Sequence, residues 1–293
     1  AIVIALVSCL FLIPYSAVQL AGVGYLLQGI TNNVISFTTG VIIATIIAVL
    51  FSYIAGIHSV MWTDALQALI MIISATAVVL VVIHQLGGFG DFFYNLETNY
   101  AEMLSVPGNG YFNFLTFLGL TIPWFFFSLS NPQVSQRLFM PASLRDLRIM
   151  LIGFLVFAVI YTFVAITWGF SAMQMFPDLD NADLATPLLL SSGIIPSVLG
   201  VIVMVGIFAA AVSTIDSILL TLSSMFARDV YGNMKKDRTD AQQLKVGKVV
   251  IPIIAVLAFL FAKLELNLIA VLSVAASSGL IVTVPSFFGA FFW

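Results

Sequence analysis

Long apolar runs, separated by short polar stretches, make up most of this chain of 293 residues. A helix that crosses a bilayer needs about 20 largely apolar residues. Eight windows meet or approach that length: 3–28, 34–55, 62–86, 112–136, 149–172, 194–227, 249–263 and 267–292. The seventh window is short by residue count. This pattern predicts an all-α, polytopic membrane protein with about eight transmembrane helices.

The composition leads to the same class of protein. Apolar residues make up 61% of the chain and charged residues only 8%, whereas a soluble domain carries about 25% charged residues. A total of 10 Lys and Arg and a net charge of −3 exclude a nucleic-acid partner. The single cysteine, Cys9, excludes a disulfide scaffold and a cysteine metal site. Because the chain opens and stops inside apolar windows, we expect 1–293 to be a single transmembrane core, truncated at both ends.

The basic residues predict which face of the membrane is cytoplasmic. They concentrate in two loops, 137–148 and 228–248, which the count of spans places on the same side. Lys263 is the one basic residue that falls on the other side. Cytoplasmic loops carry an excess of Lys and Arg, so we expect a multi-pass protein of the cell membrane with both loops cytoplasmic. Two short surface helices are expected in 91–103 and 176–192, the latter capped by Asn181 or Asp183.

Two acidic residues fall within or beside the apolar windows. A carboxylate at membrane depth costs about 2.5 kcal/mol or more, so it is a candidate functional residue. Asp216 lies well inside the sixth window, with Ser213 and Ser217 at helical spacing on the same face. A set of oxygens without His or Cys suits a hard cation such as Na⁺. The alternative is that the hydroxyls bond back to carbonyls of their own helix.

Asp64 lies near the cytoplasmic start of the third window, in the segment Trp62 to Gln67. From the sequence, an N-terminal helix cap explains it as well as a functional carboxylate does.

The fourth window is interrupted by proline in two places. Pro123 lies near its start, and Asn131-Pro132-Gln133 lies in its second half. Proline frees a carbonyl within a helix, and such breaks persist in a bilayer only where protein or a cavity surrounds them. Broken helices near the midplane are where secondary transporters bind substrate. Trp124 would supply an apolar wall, and Asn131 and Gln133 would supply hydrogen bonds, whereas the alternative is a simple kink that faces lipid.

The residues Gly88 to Asp91 match the GxGD pattern of intramembrane aspartyl proteases. That chemistry needs a second membrane aspartate, typically in a Tyr-Asp pair, and the chain contains no such pair. We therefore interpret this segment as a Gly-rich turn followed by a helix cap, and we expect no enzyme.

Three motifs resemble signatures of the sodium:solute symporters. They are the segment Ala55 to Gln67 with its Trp-Thr-Asp-x-x-Gln ending, NPQVSQR at 131–137, and AAAVSTIDSILL at 209–220 followed by Arg228-Asp229-Val230-Tyr231. The resemblance covers essentially the whole chain, and the proline and pantothenate branches are the most similar. It implies a leucine-transporter-like fold with inverted repeats, in which the present spans resemble core helices three to ten.

The resemblance also implies the ion sites. The family's main sodium site uses a carbonyl and two hydroxyls of the eighth core helix, which fall on Ala210, Ser213 and Thr214. Some members hold a second sodium, and that pattern falls on Asp64, Ser213, Asp216 and Ser217. Asp216 replaces a hydroxyl found at that position in some relatives. Na⁺ is therefore the expected coupling ion, and no organic cofactor is expected.

Substrate contacts on the broken sixth core helix of the proline branch fall on Trp124, Ser128 and Pro132. Ser128 replaces an aromatic residue there, and Asn131 matches a polar contact in the sugar branch. We therefore expect Na⁺-coupled symport of a small organic solute, such as an amino acid, pantothenate, a sugar or a carboxylate, across the lipid bilayer. A proton-coupled symporter and a non-transporting membrane sensor domain remain the alternatives.

Overall fold

The structure, a computed structural model, describes residues 1–54, 57–108, 113–235, 237–266 and 269–292, and side chains at all of these except 57–60 and 291–292. Lys236 and the first two residues of the motif at 55–67 lie outside the described residues. The described part of the chain is helical and contains these α-helices: α1 Ile2–Ile30, α2 Phe37–Ile54, α3 Ile57–Gln85, α4 Gly88–Asn99, α5 Phe114–Phe125, α6 Phe127–Ser130, α7 Pro132–Leu138, α8 Leu144–Met175, α9 Ala185–Ser191, α10 Ser197–Met225, α11 Gly232–Met234, α12 Asp240–Ala262, α13 Ile269–Leu280 and α14 Val284–Phe292. Short 3-10 turns lie at Ala101–Leu104, Ala182–Leu184 and Ile281–Thr283, and a π-helical turn lies at Phe226–Tyr231.

Seven helical segments in the described ranges are long and apolar enough to cross a membrane. Six lie along the long helices α1, α2, α3, α8, α10 and α12, the third of them from Met61 to Gln85, and the seventh runs from α13 into α14. The fourth predicted window is not continuous, because α5, α6 and α7 divide it. The predicted all-α, polytopic class is confirmed, and so is the interruption of the fourth span.

The predicted cytoplasmic loops are partly helical. α8 begins at Leu144, so that Arg145 and Arg148 lie on its first turns. α12 begins at Asp240, after a capping box at Thr239, and carries Lys245 and Lys248. A hydropathy window detects only the apolar core of a helix. The helix itself can continue beyond the hydrocarbon through Lys and Arg residues, because their long side chains reach water. The loops 137–148 and 228–248 are therefore shorter than predicted.

α1 lies at the centre of the bundle, in contact with α2, α10, α12 and α13. Its buried residues join an apolar core with those four helices, and Leu12, Val23, Ile218 and Ala258 of that core have no exposed surface. α1 and α2 cross at two glycines: a Cβ added to Gly40 would lie 3.1 Å from the Cα of Gly24. Small residues at such crossings let helices approach closely in a membrane. α1 thus packs directly against α10, which in turn contacts α3 and α7.

Two surface segments agree in part with the predictions. α4 begins at Gly88, earlier than the predicted 91–103, and Asp91 lies exposed in its first turn. It packs Phe92 and Leu96 against α3 and α8. In the other segment, Asn181 rather than Asp183 is the cap, since its side chain accepts a hydrogen bond from the Asp183 amide.

Candidate functional site

A partly buried polar cluster joins α3, α7 and α10. Arg137 on α7 is its centre: Nη2 donates to Oδ2 of Asp64 at 2.8 Å and to Oγ of Ser217 at 2.6 Å. Ser213 donates its hydroxyl to the other oxygen of Asp64. Three of the predicted ion ligands, Asp64, Ser213 and Ser217, are therefore brought together across two helices.

Asp64 is not a helix cap. α3 begins at Ile57, about two turns before Asp64. Both carboxylate oxygens of Asp64 are bonded to side chains of other helices. Its side chain is 17% exposed and that of Arg137 is 36% exposed. The cap interpretation of Asp64 is wrong, because the carboxylate holds α3 to α7 and α10.

The cluster extends along α10 towards α7. Thr221 donates its hydroxyl to the carbonyl of Ser217 at 2.7 Å, and it accepts a hydrogen bond from Nε2 of Gln136 at 2.6 Å. Neighbouring residues of α7, Gln136 and Arg137, thus both bind α10. This contact ties the end of the broken helix directly to the oxygens of the candidate ion site.

Asp216 faces a different helix. It is 5% exposed, and Oδ1 accepts a hydrogen bond of 2.8 Å from the hydroxyl of Ser52 on α2. Asp216 lies within one turn of Ser213 and Ser217 but takes its bond from α2, whereas Arg137 lies on α7. Among the side chains that the structure describes here, the cluster holds two carboxylates and one guanidinium.

The residues of the main predicted sodium site lie on adjacent turns of α10. The hydroxyl of Thr214 donates to the carbonyl of Ala210 at 3.0 Å, as the back-bonding alternative predicts. Ser213 does not follow that pattern, since its hydroxyl points to Asp64. The three residues are half-buried, so the site has one open side in the described part of the chain.

The break between α6 and α7 leaves polar atoms buried. Oδ1 of Asn131 caps α7 by accepting from the Gln133 amide at 3.2 Å, while Pro132 is the first residue of the helix. The carbonyl of Ser130 that the break frees accepts from Thr283 at 3.1 Å. Within the described residues, Asn131 Nδ2 and Gln133 Oε1 are buried without a hydrogen-bond partner. The break therefore faces protein and not lipid.

The aromatic part of the predicted substrate site leads towards α1. Trp124 is 42% exposed, and its ring centroid lies 5.0 Å from that of Phe127, which in turn lies 6.1 Å from that of Tyr15. Ser128 is half-buried beside Phe127 in α6. Trp124 on α5 and Ser128 on α6 therefore precede the break, whereas Asn131 lies at the break itself.

A cavity of about 810 Å³ lies between α1, α3, α8, α10 and α13. Its polar lining includes Gln19, Trp168, Asp183 and Ser273, none of which the sequence analysis selected for binding. Small-molecule sites have volumes of about 300–1,000 Å³. From Asp64 to Met71 at the cavity wall, the rise along α3 is about 10 Å. The cavity thus lies beyond the polar cluster along the same helices.

Asp183 lies at the edge of this cavity, outside the spanning segments. Its Oδ2 accepts a hydrogen bond of 3.1 Å from the backbone amide of Ile269 at the start of α13. Burial raises the pKa of the Asp183 carboxyl above its ordinary value, and the bond from Ile269 opposes that rise. Asp183 therefore joins the segment before α9 to the N-terminus of α13.

Arg137 was not predicted as a site residue, since its position at the start of a basic loop indicates a solvated charge. Arg137 instead lies on α7 and pairs with Asp64. One signal was present: Arg137 follows Pro132 by five residues, a distance within which a helix can continue. Ser52, Gln136 and Thr221 were missed as well, because single hydroxyls and amides are common on helices that have no site.

The profile of the sodium:solute symporter family matches residues 1–293. The chain belongs to the sodium:solute symporter family. Membership places it among transporters and not among enzymes, as a multi-pass membrane protein. The family resemblance of the three motifs is thereby confirmed.

Curated relatives of this chain include two bacterial proteins. An uncharacterized symporter, YhjB, of Bacillus subtilis (strain 168) is 28% identical over 274 residues, which cover 89% of this chain and 53% of the relative. The sodium/pantothenate symporter of Haemophilus influenzae is 26% identical over 222 residues, which cover 75% of this chain and 45% of the relative. The chain thus spans about half the length of the curated relatives it matches.

A solved structure has the same fold. It is that of a Na⁺-coupled sialic acid symporter in a substrate-bound outward-open state that revealed a novel Na⁺ site, and it superposes with a TM-score of 0.71 at 22% identity. The match covers 95% of this chain and 62% of the other. At this identity the likeness shows the fold, and it confirms the leucine-transporter-like class.

Proposed function

We propose that this family member carries out Na⁺-coupled symport of a small organic solute by alternating access in the cell membrane. The observation that carries the proposal is the oxygen cluster of Asp64, Ser213 and Ser217 where α3, α7 and α10 meet. Buried carboxylates in a membrane protein mark ion or substrate pathways. Hydroxyl and carboxylate oxygens are ligands for a hard cation.

In this proposal the main sodium ion binds the carbonyl of Ala210 and the hydroxyls of Ser213 and Thr214. The half-buried position of all three residues on adjacent turns of α10 supports it, because an ion can approach their oxygens from the side that the described helices leave open. A rotation of each hydroxyl would turn its oxygen lone pairs towards an ion. The residues 1–293 act here as one transmembrane core that resembles core helices three to ten.

A second sodium ion would bind Asp64, Ser213, Asp216 and Ser217. The charge of the cluster supports this assignment, since the described side chains include two carboxylates for one guanidinium. An uncompensated buried carboxylate is costly in a membrane. A bound cation would offset the remaining negative charge.

The solute would bind at the break between α6 and α7, through Trp124, Ser128, Asn131, Pro132 and Gln133. The unpartnered Nδ2 of Asn131 and Oε1 of Gln133 support this, as one is a donor and the other an acceptor. A buried polar group without a partner costs about 1–3 kcal/mol. A polar solute would satisfy both groups. Amino acids, pantothenate, sugars and carboxylates are the classes to be tested.

Uptake by the full-length protein in proteoliposomes tests the function. Each solute class is offered with an inward Na⁺ gradient, with an inward proton gradient, and with neither. Accumulation of one class that requires the Na⁺ gradient is the expected result. If none of the solute classes accumulates under a Na⁺ gradient, the proposed Na⁺-coupled symport is wrong.

Proton coupling is the second candidate, and the environment of Asp216 favours it. This carboxylate is 5% exposed, and it accepts a hydrogen bond from a neutral hydroxyl, that of Ser52. A proton could neutralise it as well as Na⁺ could. Uptake that persists without Na⁺ and collapses with the pH gradient would decide for this candidate.

A further inference from the structure

The guanidinium of Arg137 is bonded to the oxygens that the proposed second sodium ion needs. One nitrogen, Nη2, lies 2.8 Å from Asp64 Oδ2 and 2.6 Å from Ser217 Oγ. The remaining oxygen of Asp64 is bonded to Ser213. A sodium ion must contact such oxygens directly, and a guanidinium bonded to the same two oxygens would then lie within a few ångströms of it. Repulsion between these two positive charges makes their binding competitive.

We propose that Arg137 is a tethered cation that occupies the second ion site when no sodium is there, and that it leaves Asp64 and Ser217 when sodium binds. This inference rests on the proposed function and specifies how its second ion site is regulated. Arg137 is in this account a positioning residue, because it controls access to the ligands without itself contacting the ion.

The position of Arg137 allows such a movement. Its side chain is 36% exposed, whereas that of Asp64 is 17% exposed. Arg137 is the second-last residue of α7, and Phe139 and Met140 after it are exposed. Arg137 also opens the basic loop 137–148, which the excess of Lys and Arg places at the cytoplasmic face. A displaced guanidinium can therefore reach water at that face, which keeps the cost of its departure low.

The exchange also preserves the charge of the site. With Arg137 in place, the described cluster has one more carboxylate than it has cations, and replacing the guanidinium by Na⁺ leaves this balance unchanged. An interior of low dielectric constant tolerates the exchange of like charges better than the addition or removal of one. Asp216, bonded to Ser52, remains the neighbouring carboxylate in both states.

The same short helix links Arg137 to the proposed solute site. Asn131 caps α7 at one end and Arg137 lies near the other, about 9 Å away along the axis. Because α7 has seven residues, a solute that binds Asn131 and shifts this helix also shifts the guanidinium. Solute binding would thus bias the exchange, and sodium bound at Asp64 would bias solute binding by the same factor.

Equilibrium binding of radioactive sodium to the purified full-length protein in choline medium tests the exchange. Wild type is compared with Arg137→Gln and Arg137→Lys, and Arg145→Gln serves as the matched control on exposed α8. Suppose that Arg137 leaves the second ion site unoccupied in about a tenth of the wild-type molecules. Arg137→Gln, in which the site is always unoccupied, then binds its second sodium about 10-fold more tightly. Arg137→Lys keeps the positive charge but lacks the planar guanidinium with its several N–H donors. It is expected to show a smaller gain in sodium affinity.

A double-mutant cycle separates exchange from a change in net charge. In an Asp64→Asn background the second ligand set is already lost, so that Arg137→Gln should produce no further gain in sodium affinity. An equal gain in both backgrounds would overturn the exchange, because it would reflect charge alone. Unchanged sodium affinity in both Arg137 variants, with wild type binding sodium normally, would overturn the exchange and leave the proposed function intact. Failure of wild type to bind sodium at all would overturn the proposed function.

Discussion

Ser213 and Thr214 are adjacent hydroxyl residues with different partners. Thr214 donates to the carbonyl of Ala210 on its own helix, whereas Ser213 donates to Asp64 on α3. The first bond is common wherever Thr lies in a helix. The second needs a carboxylate from another helix, and it distinguishes this turn of α10 from an ordinary packed turn.

Replacing Ser213 or Thr214 by Ala is expected to weaken sodium dependence far more than it lowers the amount of protein in the membrane. Loss of one oxygen that contacts a charged group costs about 1.5–3 kcal/mol, which corresponds to a rise of about 10-fold or more in half-saturating Na⁺. Sodium titration of solute uptake measures this value. Thr162→Ala, which loses a similar back-bond on exposed α8, is the control. An unchanged half-saturation in Ser213→Ala and Thr214→Ala would contradict the main sodium site.

Replacing Asp64 by Asn is expected to reduce the number of Na⁺ ions transported with each solute molecule. The amide keeps the size of the side chain but lacks the charge that attracts the second ion. Reversal potentials of solute-coupled current in proteoliposomes give the stoichiometry. Asp146→Asn, at the exposed start of α8, is the charge-matched control. A stoichiometry equal to that of wild type would exclude Asp64 as an ion ligand.

At the scale of helices, the interrupted span α5–α6–α7 determines most of the site. Pro132 lacks the backbone N–H that a continuous helix would need, and Asn131 caps the new helix α7 by accepting from the Gln133 amide. The break gives α7 its own start, which carries Gln136 and Arg137 to α10. A continuous helix would bond the Ser130 carbonyl internally, whereas here it accepts from Thr283.

Asn131→Ser tests whether the amide of Asn131 has a role beyond the cap. Ser caps helices about as well as Asn, so that α7 is expected to keep its start while the unpartnered Nδ2 donor is lost. Half-saturating solute should rise by about 5-fold or more, since one hydrogen bond contributes about 1 kcal/mol. Thermal stability of the purified protein should stay near that of wild type. A loss of stability without a change in solute affinity would assign Asn131 to the cap alone.

At the scale of the whole molecule, one side-chain bond ties distant parts of the chain together at the edge of the cavity. Asp183 and Ile269 are 86 residues apart, and their bond joins the segment before α9 to α13. The 3-10 turn that carries Asp183 also packs against α1. This corner therefore depends on the charge state of one half-buried carboxyl.

Asp183→Asn is expected to raise the melting temperature of the purified protein at pH 7 and to make no difference at low pH. Because burial raises the pKa of Asp183 in the folded protein, folding disfavours the ionised carboxylate. The contribution of the neutral Asp183 carboxyl to the free energy of unfolding is fully present below the ordinary pKa of Asp, about 4. It is lost as the pH rises through the higher pKa that Asp183 has in the folded protein. The amide keeps an oxygen for the Ile269 bond and has no charge to desolvate. Asp178→Asn, an exposed neighbour, should show no such pH dependence; a gain that persists at pH 3 would contradict this account.

The sequence by itself determined the membrane class, the helical spans, the interrupted fourth span and the unusual carboxylates Asp64 and Asp216, because hydropathy, charge and proline act within a few residues. Only the tertiary structure decided which groups meet. Arg137 lies 73 residues from Asp64, and Ser52 lies 164 residues from Asp216. No local pattern encodes such pairs, since they depend on how α2, α3 and α7 pack around α10. The same packing turned a presumed loop charge into the partner of the candidate ion site.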